Sequence, residues 1–188
     1  MYPNPSSYVP LVIGTTDGPT LTAAARASCI PTANRMVLPN NYWTPGKSWK
    51  VLLAGRMTCA VTTPGTGRFD FATGPSGTIL AFDTLAFNLN VAGKTNVPWW
   101  LELELDARPV GAGTLTQLFG MGRFTSEALV GAPLPTVGGN GSLLLPVATP
   151  ALGTGFDNTA QNAVDFFWTP SLATSSLVVH QYKIWESI

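Results

Sequence analysis

Apolar and polar residues alternate with a period of two along most of the chain, and the clearest run is Pro98 to Arg108. There Leu101, Leu103 and Leu105 fall on one face and Glu102, Glu104 and Asp106 on the other, the signature of a half-buried antiparallel strand. The same reading, with less regular alternation, predicts strands over 49–61, 68–73, 77–82, 84–89, 114–125, 142–147, 163–168 and 176–185. Clusters such as Thr63-Pro64-Gly65-Thr66-Gly67 and Thr73-Gly74-Pro75-Ser76-Gly77 separate them as turns. About eight to ten strands at this spacing predict an all-β protein, an antiparallel β-sandwich of jelly-roll-like type. Helix is scarce: Leu21 to Ser28 has the composition for a turn or two, and Ala160 to Val164 for one.

No repeat or linker divides the sequence. Its one compositional shift lies near residue 30, where a Pro-, Ser-, Thr- and Ala-rich stretch gives way to the strands. Residues 1–30 are therefore expected to form an extended N-terminal arm that mediates contacts between subunits, and residues 31–188 the sandwich domain. The first residues carry neither a basic region nor an apolar core of the kind a secretory signal needs, so synthesis in a cytoplasm is expected.

Charge alters the picture more than length does. Lys, Arg, Asp and Glu make up 11% of the 188 residues, against about 25% in an ordinary soluble chain. A folded monomer of this mass exposes roughly 8,600 Å², which so few charges cover thinly, so much of the surface is expected to lie against other protein. The ten basic and ten acidic side chains cancel, which argues against a nucleic-acid partner and against a polybasic membrane-surface protein. No stretch approaches the 18 apolar residues of a membrane-spanning helix. Cys29 and Cys59 have neither zinc-site spacing nor a secreted disulfide pattern; they read as two small buried hydrophobes or as a disulfide.

Candidate chemistry is sparse. Glu102, Glu104 and Asp106 are spaced as the acid and nucleophile of a retaining glycosidase can be, but an alternating acidic row is also what a solvated strand face looks like. Arg56, Arg108 and Arg123 lie on strands able to pair with it. An enzyme is not expected, and neither a catalytic residue, a metal ligand nor a cofactor is assigned. His180, placed by alternation on a face with Val178, Tyr182 and Ile184, has no second histidine for a metal site and reads as structural. Asp157 or Thr159 is expected to cap a short helix. Trp43, Trp49, Trp99, Trp100, Trp168 and Trp185 are candidates for the core, for a subunit interface or for stacking on sugars; Trp99 and Trp100, being adjacent, point to opposite faces.

Several stretches together carry a family resemblance: the Ala/Thr-rich arm, Trp43-Thr44-Pro45-Gly46-Lys47-Ser48-Trp49-Lys50-Val51 leading into Ala54-Gly55-Arg56, Lys94-Thr95-Asn96-Val97-Pro98-Trp99-Trp100-Leu101, and His180-Gln181-Tyr182-Lys183-Ile184-Trp185-Glu186. They resemble small structural proteins of tailed bacteriophages, most of all head decoration (cement) proteins with a jelly-roll-like sandwich. The resemblance implies a virion protein, a homotrimer on the outer capsid surface that clamps neighbouring copies of the major capsid protein. It brings no catalytic residues. Interface contacts are expected at Tyr2, Pro3, Pro5 and Tyr8 of the arm and at Trp43, Trp99, Trp100 and Trp185. The alternative is a phage tail or host-surface module that binds a host glycan.

Overall fold

The computed structural model describes residues 8–130 and 141–187. Two antiparallel sheets face each other as a β-sandwich, which bears out the expected fold class. The larger sheet runs β1 (Tyr8–Ile13), β12 (Ser176–Ser187), β4 (Ser48–Val61), β8 (Ala92–Ala107), β9 (Leu118–Ser126) and β10 (Gly141–Leu145). The smaller runs β2 (Ala27–Ser28), β11 (Asn162–Pro170), β5 (Thr66–Thr73) and β6 (Ile79–Asp83), with β3 (Met36–Leu38) on β11 and β7 (Phe87–Asn88) on β5. The last two strands return beside the first two long ones, β12 on β4 and β11 on β5. These are Greek-key returns, in which a long connection brings a late strand back beside an early one.

Aromatic side chains fill the space between the sheets. On the smaller sheet, Phe69 and Phe71 of β5 lie opposite Trp168 and Phe166 of β11. Phe69 meets Trp99 and Phe124 of the larger sheet with ring centroids 5.3 and 5.7 Å apart, and Phe71 meets Trp49 at 5.9 Å. Trp43 completes the layer at 4.7 Å from Trp49. Alternation in β8 holds as read: Trp99, Leu101, Leu103 and Leu105 are buried, while Trp100 and Glu104 are exposed. Cys29 and Cys59 are buried and unbridged, so the small-hydrophobe reading stands; burial pushes both thiols up, Cys29 well above the ordinary cysteine range.

A two-sheet sandwich is open along two sides, and here an irregular segment closes each. On one side β1 pairs with β12. The chain then follows the same edge through Gly14 N–H to Tyr182 O and Gly18 N–H to Val179 O, bridges Leu21 to Leu177, and crosses to the smaller sheet as β2. Leu21, Cys29 and Ile30 are buried in the core. The segment is thus anchored on the sandwich of its own chain at Tyr8–Ile13, Gly14, Gly18, Leu21 and Ala27–Ile30. On the other side, residues 152–156 connect the sheets: Gly153 N–H bonds Leu118 O of β9, Thr154 N–H bonds Leu80 O of β6, and Phe156 exchanges two backbone bonds with Thr116. Both segments lie too close for side chains at key points. A Cβ on Gly153 would sit 1.8 Å from Ala81 O, and one on Gly18 2.2 Å from Cys29 O.

Three local expectations are corrected. Leu21 to Ser28 is not helical: it bends at 23–25 between the Leu21 bridge and β2, because Leu21 is drawn into the core and its backbone bonds to β12. Ala160 to Val164 runs into β11, and Asp157 accepts hydrogen bonds from Thr159 in a turn that no helix follows. In β12 the register shifts between Val179 and Gln181. The extra residue at this bulge turns His180 outward, where its Nδ1 lies 3.0 Å from Asp17, while Val179, Tyr182 and Ile184 are buried. His180 therefore shares no face with Tyr182. Among the described residues, no helix is long and apolar enough to cross a membrane.

Gly153→Ala is expected to lower stability by roughly 1–3 kcal/mol, through backbone displacement at the β6 closure. Thr154→Ala, whose side chain is exposed, is expected to stay within about 0.5 kcal/mol of wild type in the same urea titration.

Candidate interaction surface

The outer faces of the two sheets are treated differently. On the smaller sheet, β5 and β11 direct Asp70, Asp165 and Phe167 outward, and the chain folds residues 26–35 over them. Arg26 lies 3.5 Å above the Phe167 ring and bonds both carboxylate oxygens of Asp70. Arg35 holds Asp165 at 2.9 Å, and the Ser28 hydroxyl donates to the same carboxylate at 2.7 Å. Burial raises the Asp165 carboxyl above its ordinary value, with Ser28 and Arg35 opposing.

The outer face of the larger sheet has no such cover among the described residues. Register places its side chains in rows across the strands. One row is Trp185, Lys50, Glu104 and Met121; the next is Lys183, Leu52, Glu102, Arg123 and Leu144; a third is Gln181, Ala54, Trp100, Thr125 and Ser142. Large apolar groups stand open here: Trp100 is 40% exposed, Met121 48% and Leu144 72%. A groove of about 390 Å³ runs between Lys50, Glu102, Glu104, Met121, Arg123 and Leu144.

Every charged side chain of the sequence lies within the described residues. Most find partners inside the chain, including Arg26 with Asp70, Arg68 with Asp83 and Lys94 with Glu127. On the open face only Glu102 is paired, to Arg123 at 3.0 Å. Lys50, Lys183, Glu104 and Asp106 make neither an ion pair nor a hydrogen bond among the described residues. Of the arginines read as partners of the acidic row, Arg123 alone fills that role; Arg56 donates to Asn96 O and Arg108 stacks on Phe119.

At the end of this sheet a broad cleft of about 620 Å³ opens beside Tyr8, Pro45, Lys47, Glu104 and Glu186. Its carboxylate Glu186 is already engaged. The Tyr42 hydroxyl donates to it in a short hydrogen bond, Lys47 Nζ lies 3.4 Å from it, and Trp49 Nε1 donates to the Tyr42 oxygen at 2.8 Å. Burial, and then the Glu186 carboxylate, hold the Tyr42 hydroxyl well above the ordinary phenol range. With Glu102 bound to Arg123 and Glu186 bound to Tyr42 and Lys47, Glu104 is the carboxylate that faces both the groove and the cleft without a partner among the described residues. No group of three or more His, Cys, Asp or Glu among the described residues is placed to hold a metal ion.

The residues singled out from sequence separate by location. Trp100 and Trp185 stand on the open face, and Tyr8 at its edge on β1 is 42% exposed. Trp43 and Trp99 are 2% exposed and belong to the aromatic layer of the core. Tyr2, Pro3 and Pro5 lie outside the described residues. Lys50, Lys183, Met121 and Leu144 were missed. Composition alone does not flag them; writing β4, β9, β10 and β12 in register beside β8 does.

Because the folded chain holds Tyr42 neutral beyond its unfolded value of 10.0, the stabilisation is fully present below pH 10 and is lost as pH rises toward the folded value. Tyr42→Phe is expected to cost about 1–2 kcal/mol at pH 7, and the gap from wild type is expected to narrow above pH 10 in paired denaturant titrations.

No protein-family model, curated protein or solved structure matches this chain.

Proposed function

We propose that this chain is a non-enzymatic structural protein that works by adhesion to other protein: a capsid decoration protein seated on the outside of an assembled phage head, as the sequence resemblance implies. The observation that carries the adhesive reading is the open face of the larger sheet. A chain with so few charges places Lys50, Lys183, Glu104 and Asp106, without partners among the described residues, beside exposed Trp100, Met121 and Leu144 on one surface. Free charges on a surface rich in exposed apolar groups gain most when another protein supplies their partners and excludes water.

Stabilisation of the head would follow from mass action. A protein that binds only the assembled shell adds its binding free energy to that shell, copy by copy, and so opposes internal pressure. No reacting group is required.

A second reading is favoured by one feature. Trp100, with Pro98 and Thr125, lines a shallow depression of about 120 Å³, and an exposed indole face is a platform for a sugar ring. That reading is a glycan-binding module of a tail or host-surface protein.

Purified chain is expected to show a native mass that is a multiple of three chains by light scattering and to pellet with assembled heads. A chain that stays in the supernatant at every head concentration contradicts the decoration reading. For the second reading, fluorescence quenching by host glycans that disappears in Trp100→Ala would displace the first; unchanged fluorescence across a glycan panel removes it.

A further inference from the structure

We infer that the open face of the larger sheet receives the same face of a second copy of this chain, through an isologous two-fold contact centred on Lys50 and Glu104. The inference rests on reading this face as adhesive and names its partner.

The order of side chains along the rows is self-complementary. Let a two-fold axis run parallel to the strands, between β4 and β8, in the plane where two such faces meet. Rotation about it carries β4 onto β8 of the other copy and β12 onto β9, while each row stays on itself. The row Trp185, Lys50, Glu104, Met121 then reads against its own reverse. Lys50 meets Glu104 of the second copy, Glu104 meets its Lys50, and Trp185 and Met121 meet in both outer positions. The indole and thioether are a favourable pair.

Neighbouring rows obey the same symmetry. Ala54 is opposite Trp100, so the largest side chain of the face lands on one of the smallest, and Gln181 is opposite Thr125. Lys183 is opposite Arg123, the one like-charged meeting, and Glu102 already neutralises that arginine at 3.0 Å. Aligned sheets pack at about −30°, which separates rows far from the axis and leaves the central Lys50 and Glu104 contacts in place.

Within one chain these two residues sit directly opposite each other on β4 and β8, yet they do not reach ion-pair distance. A second copy gives each a partner.

Size is sufficient. Six strands about 4.8 Å apart and the three-row depth of the face give roughly 600 Å² per copy, or roughly 1,200 Å² in all, the lower end of specific interfaces. On a decorated head such a contact lies on a two-fold axis between neighbouring seats and joins them into a continuous net.

The test uses Lys50→Glu and Glu104→Lys in the full chain, with native mass read by analytical ultracentrifugation. Wild type is expected at an even multiple of the chain mass. Each variant alone sets like charges face to face twice and is expected to halve that mass, weakening association by at least about 100-fold. Mixing the two variants restores it. The carboxylate introduced at position 50 of one then meets the ammonium introduced at position 104 of the other, and the unchanged Glu104 of the first meets the unchanged Lys50 of the second. Restoration on mixing cannot arise from repair within a chain, since neither chain carries both changes.

A wild-type mass of one or three chains, or variants that fail to associate on mixing, overturns the inference. Sedimentation with heads separates this failure from failure of the decoration reading. Wild type that is monomeric and pellets, with variants that do not pellet, means that the face meets the shell itself. Wild type that neither associates nor pellets overturns both.

Discussion

The structure depends on closure of the two open sides of its sandwich by backbone. The aromatic layer of Trp43, Trp49, Phe69, Phe71, Phe124 and Trp168 is dry only if water is kept from both sides, and among the described residues no α-helix covers them. The chain uses residues 8–30 on one side and 152–156 on the other, each hydrogen-bonded to both sheets or threaded from one to the other. Such close backbone contact requires glycine at Gly18 and Gly153, where a Cβ would meet a carbonyl oxygen well inside contact distance. The same segments satisfy strand edges that would otherwise offer unpaired amides to other chains.

Closure also decides where charge goes. The N-terminal segment that seals one side continues over the smaller sheet, and its Arg26 and Arg35 neutralise Asp70 and Asp165 there. That face is finished within the chain. The larger sheet receives no comparable cover among the described residues, and the unpaired Lys50, Lys183, Glu104 and Asp106 remain on it beside Trp100, Met121 and Leu144. The asymmetry is the physical basis for treating one face as structural and the other as adhesive.

Much of this was legible from the residues. Strict alternation in Leu101, Leu103 and Leu105 located β8 and the sides of its faces. Trp99 and Trp100 were separable because neighbours on a strand point apart. The aromatic residues themselves were ambiguous: Trp43 and Trp100 look alike in sequence, and only cross-strand packing sends one to the core and the other to the surface. His180 was misplaced because a bulge leaves no mark in an alternating pattern and reverses every position beyond it. Leu21 to Ser28 read as helical by its alanines, but a single buried Leu21 and backbone pairing to β12 outweigh that preference. The open face was invisible for a further reason. Its rows are assembled from β12, β4, β8, β9 and β10, and a row has no existence in sequence until the strand order is known.

The proposed function is carried out by surface, and the surface can be tested whatever its partner is. Hydroxyl-radical footprinting of the chain, compared between dilute monomer and its assembled state, reads exposure residue by residue. Trp100, Met121 and Leu144 are expected to lose most of their reactivity on assembly, while Leu85 and Val37, which are exposed elsewhere on the molecule, keep theirs. Unchanged labelling of Trp100, Met121 and Leu144, with protection appearing at Leu85 or Val37 instead, would contradict it.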